Sequence, residues 1–218
     1  RSLRSRPLLL TLPRLARVNC NFEPVSFAKR MNKQMKSGLR KVCRTRRIDR
    51  HRRSSEQEPE RLADLFLENM EPAQGINIAG YWPIEGEMNV LPLLGRLYEL
   101  DYNLCLPVVV KGTRVLSFRK WRPSDPTEVA DFGVRIPVQT AHEVIPQLLI
   151  VPLIAFDERG FRLGHGGGYY DSTLWQLASS RPITVGVGFE DQRITEVPTE
   201  PHDVSLDWVI TDERARRI

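Results

Sequence analysis

Segments with apolar residues at helical spacing alternate along the chain with short, continuous apolar runs. Residues 31–53 contain no proline and carry apolar side chains at steps of three and four, which predicts a helix. The following segment places Ser55 and Glu58 at capping-box spacing and Pro59 in a first helical turn, and so predicts a second helix. The apolar positions expected to be buried on these helices are Met31, Met35, Leu39, Val42 and Cys43, and then Leu62, Leu65, Phe66 and Met70.

Short apolar runs predict the strands. They occupy residues 76–82, 103–110, 114–121, 148–156, 183–189 and 207–211, and helices are predicted over residues 90–100 and 169–179. The run "LLIVPLIAF" is apolar almost throughout, as is typical of a strand covered on both faces. This alternation predicts an α/β fold, a single three-layer domain in which helices flank a mainly parallel central sheet.

Length and composition narrow the class of protein. A chain of 218 residues can bury a sizeable core, and no apolar run approaches the roughly 20 residues of a membrane helix. The three cysteines, Cys20, Cys43 and Cys105, are widely spaced and fit neither a zinc site nor an even disulfide framework. We therefore expect no membrane partner and a reducing, cytoplasmic location.

The charge is divided between the N-terminal quarter and the remainder. Residues 1–53 hold 17 basic and two acidic side chains, a net charge of +15, whereas residues 54–218 carry a net charge of −10. We predict a leader over residues 1–30 and a folded domain over residues 31–218. Three interpretations of the leader stay open: an organellar transit peptide, an arm that binds nucleic acid, and a disordered or mistranslated extension with Met31 or Met35 as the working start.

The segment "FRLGHGGGYYDSTL", residues 161–174, holds four of the 14 glycines. A buried strand, a glycine run and a helix form an arrangement that binds phosphate, because glycine lets the backbone approach the anion and the helix N-terminus offers free N–H groups. The spacing fits neither the Walker A pattern nor GxGxxG, and glycine clusters also serve tight turns. Phosphate binding and a purely structural turn both remain open on the glycines alone.

The neighbours of the glycines favour an anion site. Arg162 can donate two parallel hydrogen bonds to a phosphate. Asp171 can hold Mg²⁺ through its oxygens or stabilise the helix dipole. Tyr169 and Tyr170 can flank a flat heterocycle or pack against the core.

At this point the residues resemble a known family. "RLGHGGGYYD" is similar to the signature of the 5-formyltetrahydrofolate cyclo-ligase family. "KSGLR", "YWPIEGEMNVLPLL" and the segment from "VGVGFEDQ" to "DWVIT" resemble its other blocks in the same order. The resemblance covers roughly residues 36–212.

The resemblance implies an enzyme that converts 5-formyltetrahydrofolate to 5,10-methenyltetrahydrofolate with ATP and Mg²⁺, through phosphorylation of the formyl oxygen. It implies a small-molecule folate substrate, and a monomer is favoured while the oligomeric state stays open. It implies catalytic roles for Arg162 and His165. The implied folate site is Trp82, Glu87 and Tyr169, and the implied Mg²⁺ site is Asp171 and Asp203. The implied ATP site combines two residues of the first helix with the glycine loop: Lys36, Arg40, Arg162, Leu163, Gly164, His165, Gly166, Gly167, Gly168, Tyr169 and Tyr170.

The chain departs from the family pattern at two loop positions. Many members have Arg or Tyr in place of His165, and some have Lys in place of Gly167. Phosphate neutralisation would therefore depend more on Arg162, Lys36, Arg40 and the metal. Three other functions are weighed against the cyclo-ligase: nucleic-acid binding through the basic N-terminus, a metal hydrolase using His202, Asp203 and Asp171, and a family relative that binds nucleotide without folate turnover.

Overall fold

The computed structural model describes the backbone of residues 24–218 and, Phe132 excepted, the side chains of residues 31–218. The predicted leader therefore lies outside the described side chains. The helices are α1 Pro24–Arg52, α2 Gln57–Asn69, α3 Leu91–Glu99 and α4 Tyr169–Gln176. Within the described residues, none of the helices is long and apolar enough to span a bilayer.

A seven-stranded sheet forms the centre of the molecule. Its strands are β1 Asn77–Ala79, β2 Asn103–Val109, β3 Leu116–Lys120, β6 Leu148–Pro152, β9 Ile183–Gly188, β10 Trp208–Thr211 and β11 Ala215–Arg217. The spatial order is β11-β10-β9-β6-β1-β2-β3. The five inner strands are parallel, and β3 and β11 close the two edges in antiparallel pairing. The predicted α/β architecture with a mainly parallel sheet is confirmed.

The order of the strands reverses between β1 and β6. From β1 the chain builds outward to β2 and β3, whereas from β6 it builds in the opposite direction to β9 and β10. In open α/β sheets, ligands bind in the crevice beyond the carboxyl ends of the strands at such a switch point. The segments that leave β1 and β6 are therefore where a site is expected, and both contain residues named above.

Two predictions about the strands were wrong. The run 148–156 is not one strand: β6 ends at Pro152, and β7 Ala155–Phe156 pairs with β8 Arg162–Leu163 in a separate two-stranded sheet. Leu153 lies between β6 and β7. Its carbonyl accepts hydrogen bonds from the side chains of Arg47 and Gln192 and not from a neighbouring strand. The strand at 207–211 is not the last, because β11 follows it. A hairpin of β4 Thr127–Val129 and β5 Arg135–Pro137 was not predicted.

Two hydrophobic layers cover the sheet. One contains the buried residues of α2 and α3 together with inward residues of β1, β6 and β9. The other lies on the opposite face and includes Leu174 of α4. Leu62, Phe66 and Met70 are buried as predicted. The predicted capping box is only half formed: Ser55 donates its N–H and its hydroxyl to the Glu58 carboxylate, but its hydroxyl oxygen accepts the N–H of Gln57 and not that of Glu58.

The apolar face predicted for the first helix is confirmed only in part: Cys43 is buried and Leu39 packs against the same small hydrophobic cluster, but the other three residues lie outside it. Met31, Met35 and Val42 are 48%, 57% and 67% exposed, whereas Lys36 and Arg47 are buried. The helix also begins at Pro24, seven residues before the predicted start. The rest of its inward side is polar because α1 crosses the carboxyl edge of the sheet, where carboxylates and main-chain oxygens face Lys36 and Arg47.

Candidate functional site

One face of α1 supplies the basic side of the cleft. Lys36, Arg40, Arg47 and Arg50 follow one another at helical spacing, so their side chains project in similar directions. Each of them contacts a different segment at the carboxyl edge of the sheet. The helix therefore places a row of positive charge over the ends of β1, β6 and β10.

Lys36 forms the first of these contacts. Its Nζ lies 2.5 Å from Oδ2 of Asp203 and 3.2 Å from Oε2 of Glu200, and its side chain is 8% exposed. The same Asp203 oxygen accepts the Glu200 N–H. A buried ammonium group is stable here because two carboxylates surround it.

The glycine loop has the backbone geometry that an anion site needs. Gly166 and Gly168 have φ of +99° and +71°, in the region that non-glycine residues rarely adopt. Gly168 is the N-cap of α4, so the free N–H groups of that helix open onto the loop. The side chain of Arg40 holds the loop from the α1 side, with its Nε donating to the Gly164 carbonyl at 2.9 Å.

Arg162 and Asp171 are linked at the base of this loop. Nη2 of Arg162 lies 2.7 Å from Oδ1 of Asp171, and Nη1 donates to the Val204 carbonyl at 2.8 Å. Arg162 is only 4% exposed, whereas Asp171 is 27% exposed. The pair fixes the start of α4 to the segment that carries Asp203.

Glu87 is a buried carboxylate at the centre of the cleft. Its side chain is 3% exposed, and its Oε2 accepts the Ile84 N–H at 3.1 Å. Its Oε1 faces Nε2 of His165 at 3.0 Å and Nη1 of Arg47 at 3.5 Å. The His165 contact joins the glycine loop directly to the turn that follows β1.

Arg47 organises the floor of the cleft from α1. Its side chain is fully buried, and it donates to the carbonyls of Leu153 and Glu85 at 3.1 Å each. Burial lowers the pKa of Arg47, and the negative charge of Glu87 opposes that shift. Arg47 thus ties the ends of β1 and β6 to the helix above them.

Two tyrosines lie beside the same carboxylate. Burial raises the pKa of Tyr81 well above its usual value, and the charge of Glu87 raises it further. Burial is also the main cause of a raised pKa at Tyr170, and the negative charge of Glu87 is the second. The Tyr81 hydroxyl donates to the Met88 carbonyl at 2.8 Å. Both phenols therefore stay neutral at neutral pH.

Trp82 forms an aromatic surface on the other side of the turn. It is partly exposed, and the ring of the buried Trp121 meets it edge-on with centroids 6.3 Å apart. The guanidinium carbon of Arg135, from the hairpin, lies 5.7 Å from the Trp82 ring centroid.

A group of potential metal ligands lies next to Lys36. Atoms of Glu200, His202 and Asp203 approach within 4.8 Å of one another. Asp171, predicted to share a metal with Asp203, is not in that group and pairs with Arg162 instead. The main-chain N–H of Val204, next to Asp203, reaches Asp171 at 3.4 Å, so the two carboxylates flank one short segment.

Most residues proposed from the sequence therefore converge on one cleft. Gly164, Gly166, Gly167 and Gly168 line its loop, and Leu163 is buried beneath it in β8. Tyr169 begins α4 and packs close to Gly167, where a Cβ would lie 2.8 Å from its ring. Arg47 and Glu200 were missed. The helical spacing of the basic residues of α1 is the sequence signal that marks Arg47.

Taken together, the strand order, the positive-φ glycine loop and the buried carboxylate define an α/β protein with a ligand cleft at the carboxyl edge of its sheet. The family model described as the 5-formyltetrahydrofolate cyclo-ligase family matches residues 32–212. The chain therefore belongs to the 5-formyltetrahydrofolate cyclo-ligase family.

Similar proteins agree with this assignment. A 5-formyltetrahydrofolate cyclo-ligase of Haemophilus influenzae is 33% identical over 181 residues, which cover 81% of this chain and 97% of the relative. One of Mycolicibacterium smegmatis is 33% identical over 150 residues, covering 64% and 75%. The solved 5,10-methenyltetrahydrofolate synthetase of Aquifex aeolicus aligns with a TM-score of 0.63 and 29% identity, over 84% of this chain and 92% of that one.

Proposed function

We propose that this protein converts 5-formyltetrahydrofolate to 5,10-methenyltetrahydrofolate and consumes ATP in doing so. Membership of the family supports the cyclo-ligase reaction. The observation that carries the assignment of the site is the 3.0 Å contact between His165 and Glu87. It brings the glycine loop, suited to phosphate, against a buried carboxylate suited to the N–H donors of a pterin.

The reaction needs positioned positive charge more than a protein nucleophile. The formyl oxygen of the substrate attacks the γ-phosphorus of ATP, and ADP leaves. N10 then attacks the formyl carbon and loses its proton, and phosphate departs as the ring closes. Charge on the transferring phosphoryl group is stabilised by preorganised donors. The glycine-loop N–H groups, Arg40, Lys36 and His165 can supply them, and Arg162 holds the loop in place.

The folate side of the cleft would use Glu87 and Trp82. A carboxylate accepts two N–H hydrogen bonds from a pterin ring. Glu87 is already oriented for this by Ile84 and Arg47. Trp82 offers a partly exposed ring to the aromatic part of the substrate.

The residues near Lys36 fit a magnesium ion bound with ATP. Mg²⁺ prefers carboxylate oxygens and retains several waters. Asp203 and Glu200 offer such oxygens, and Asp171 flanks the same segment. The ion would neutralise phosphate charge, and Lys36, now paired with both acids, would be free to turn towards the phosphates.

A single assay tests the proposal. Purified protein with 5-formyltetrahydrofolate and Mg-ATP is expected to form the conjugated methenyl chromophore, which is followed by absorbance. Omission of ATP, or its replacement by an analogue that cannot transfer its γ-phosphoryl group, is expected to abolish the signal. Product formation without ATP, or none with ATP and folded protein, would reject the proposed reaction.

A further inference from the structure

His165 covers the carboxylate that the proposed function assigns to the pterin. Its Nε2 lies 3.0 Å from Oε1 of Glu87, and the side chain of Glu87 is only 3% exposed. A ligand can reach a carboxylate this enclosed only after one of the groups around it has moved. The contacts of each group show which of them is the least constrained.

Three groups of the described residues form hydrogen bonds with the Glu87 carboxylate, and two of them are fixed. The side chain of Arg47 is fully buried and also donates to the carbonyls of Leu153 and Glu85. The Ile84 N–H belongs to the main chain of a turn that the Glu87 N–H closes by donating to the Ile84 carbonyl at 2.9 Å. Movement of Arg47 would strand a buried charge, and movement of Ile84 would open the turn.

The imidazole of His165 is the group that can move. Its side chain is 36% exposed, and among the described residues its one polar side-chain contact is with Glu87. The space beside Gly164 is open, because a Cβ there would meet no atom within 4 Å. Arg40 holds the Gly164 carbonyl, so the loop can keep its place while the imidazole turns.

The phosphate side of the glycine loop lies next to His165 in the chain. Gly166 has a φ of +99°, and Gly168 is the N-cap of α4, whose free N–H groups open onto the loop. A neutral imidazole has one N–H donor, and in the free protein Glu87 faces Nε2. Once released from Glu87, that nitrogen becomes available to a phosphate bound by the loop.

We infer that His165 competes with the folate for Glu87, and that folate binding releases the imidazole to the phosphate side of the glycine loop. This inference rests on the proposed function. Only a ligand with N–H donors of its own, such as a pterin, replaces the hydrogen bond that the buried carboxylate loses. ATP then meets a loop with one more donor, so each substrate strengthens the binding of the other.

Calorimetric titration without nucleotide tests the competition. It measures the Kd of 5-formyltetrahydrofolate for the wild type and for His165→Ala. Removal of the competing donor is expected to lower the folate Kd about fivefold, which corresponds to the net contribution of one hydrogen bond. A residue that merely lined the folate site would have the opposite effect, because its loss would weaken binding.

A second titration tests the coupling between the substrates. It uses Mg²⁺ and an ATP analogue that cannot transfer its γ-phosphoryl group, with and without saturating 5-formyltetrahydrofolate. In the wild type the Kd of the analogue is expected to fall about fivefold when folate is present. In His165→Ala the folate should leave the Kd of the analogue unchanged, because no imidazole is released.

Two further variants serve as controls. His165→Gln keeps an N–H donor that can pair with Glu87, so its folate Kd should stay close to the wild-type value. His142→Ala removes an exposed histidine from the segment between β5 and β6 and should change neither Kd. Thermal unfolding of each variant confirms that it is folded before its binding is compared.

The outcomes that reject the competition leave the proposed reaction standing. One is a folate Kd for His165→Ala that equals or exceeds the wild-type value, while the wild type still turns over folate. Another is weaker binding of the ATP analogue by His165→Ala without folate, since it would place the imidazole at the phosphates from the start. If neither protein binds folate, with or without the analogue, the inference fails together with the proposed function.

Discussion

At the scale of single residues, the cleft depends on charges that are held out of water. Arg47 and Glu87 have side chains 0% and 3% exposed. Burying an ion costs several kcal/mol unless a partner and further hydrogen bonds compensate. Arg47 has two carbonyls and Glu87, and Glu87 has the Ile84 N–H and His165. Glu87 therefore has a structural role as well as the proposed binding role, and an experiment must separate them.

We predict that Glu87→Gln impairs both stability and folate binding. Removal of the charge leaves Arg47 buried without its counter-ion, which is expected to lower the free energy of unfolding by about 3–5 kcal/mol. The glutamine also presents a donor amide to a pterin donor, so the folate KM should rise about tenfold or more. Urea denaturation and steady-state kinetics measure the two effects, and the KM for ATP should change little.

The double variant Arg47→Met with Glu87→Gln distinguishes the two roles. Because methionine removes the stranded charge, part of the lost stability should return. The folate KM should remain raised, since the pterin acceptor is still absent. A double variant with a wild-type KM would mean that Glu87 serves only to neutralise Arg47.

At the scale of elements, sequence patterns predicted the segments that pack on the sheet and the glycine loop before α4, but they did not predict the polar inner face of α1. The parallel strands and α2 were foreseen because they bury apolar residues with the period of their own structure. The inner face of α1 was not foreseen. Lys36 and Arg47 can be buried there because their partners, Asp203 and Glu87, lie far away in the sequence. Contacts such as His165 with Glu87 depend on tertiary pairing across 78 residues, which no local pattern encodes.

The glycine loop allows a test of backbone geometry alone. A Cβ at Gly168 would meet no other atom within 4 Å, yet φ there is +71°. Gly168→Val should therefore cost about 1–3 kcal/mol of conformational strain, because a β-branched residue avoids this region. The loop is expected to relax away from this conformation, and affinity for ATP should fall sharply in a direct binding titration.

Gly164→Ala provides the control within the same loop. Gly164 has no positive φ, and its Cβ would also meet nothing within 4 Å. This variant is expected to bind ATP as the wild type does. If Gly168→Val leaves ATP affinity unchanged, or Gly164→Ala reduces it equally, the loop does not act through its left-handed positions.

At the scale of the whole molecule, α1 crosses the predicted boundary at residue 30: it begins at Pro24, and its side chains from residue 31 onward are those described in contact with the sheet domain. Among the described side chains of α1, the first contact with a distant segment is made by Asn32, whose amide donates to the Thr199 carbonyl at 2.8 Å. Such contacts continue through Lys36, Arg40 and Arg47 to Arg50, which pairs with the buried Asp212. Four basic side chains of α1, those of Lys36, Arg44, Arg47 and Arg50, thus pair with carboxylates of the acidic body, so positive charge on this helix has a structural use.

The boundary between leader and domain leads to the last prediction. A protein that begins at Met31 keeps every described side-chain contact of α1, so its turnover of 5-formyltetrahydrofolate should stay within about threefold of the full chain. The fraying of a shortened helix end costs only a fraction of a kcal/mol per residue. Deletion through Arg40 also removes Lys36, the partner of Asp203, and Arg40, the partner of the Gly164 carbonyl, and should abolish ATP binding. Thermal unfolding of this shorter protein shows whether the domain still folds. A protein starting at Met31 that melts normally but turns over no folate would place the leader within the working site, and the division at residue 30 would have to be abandoned.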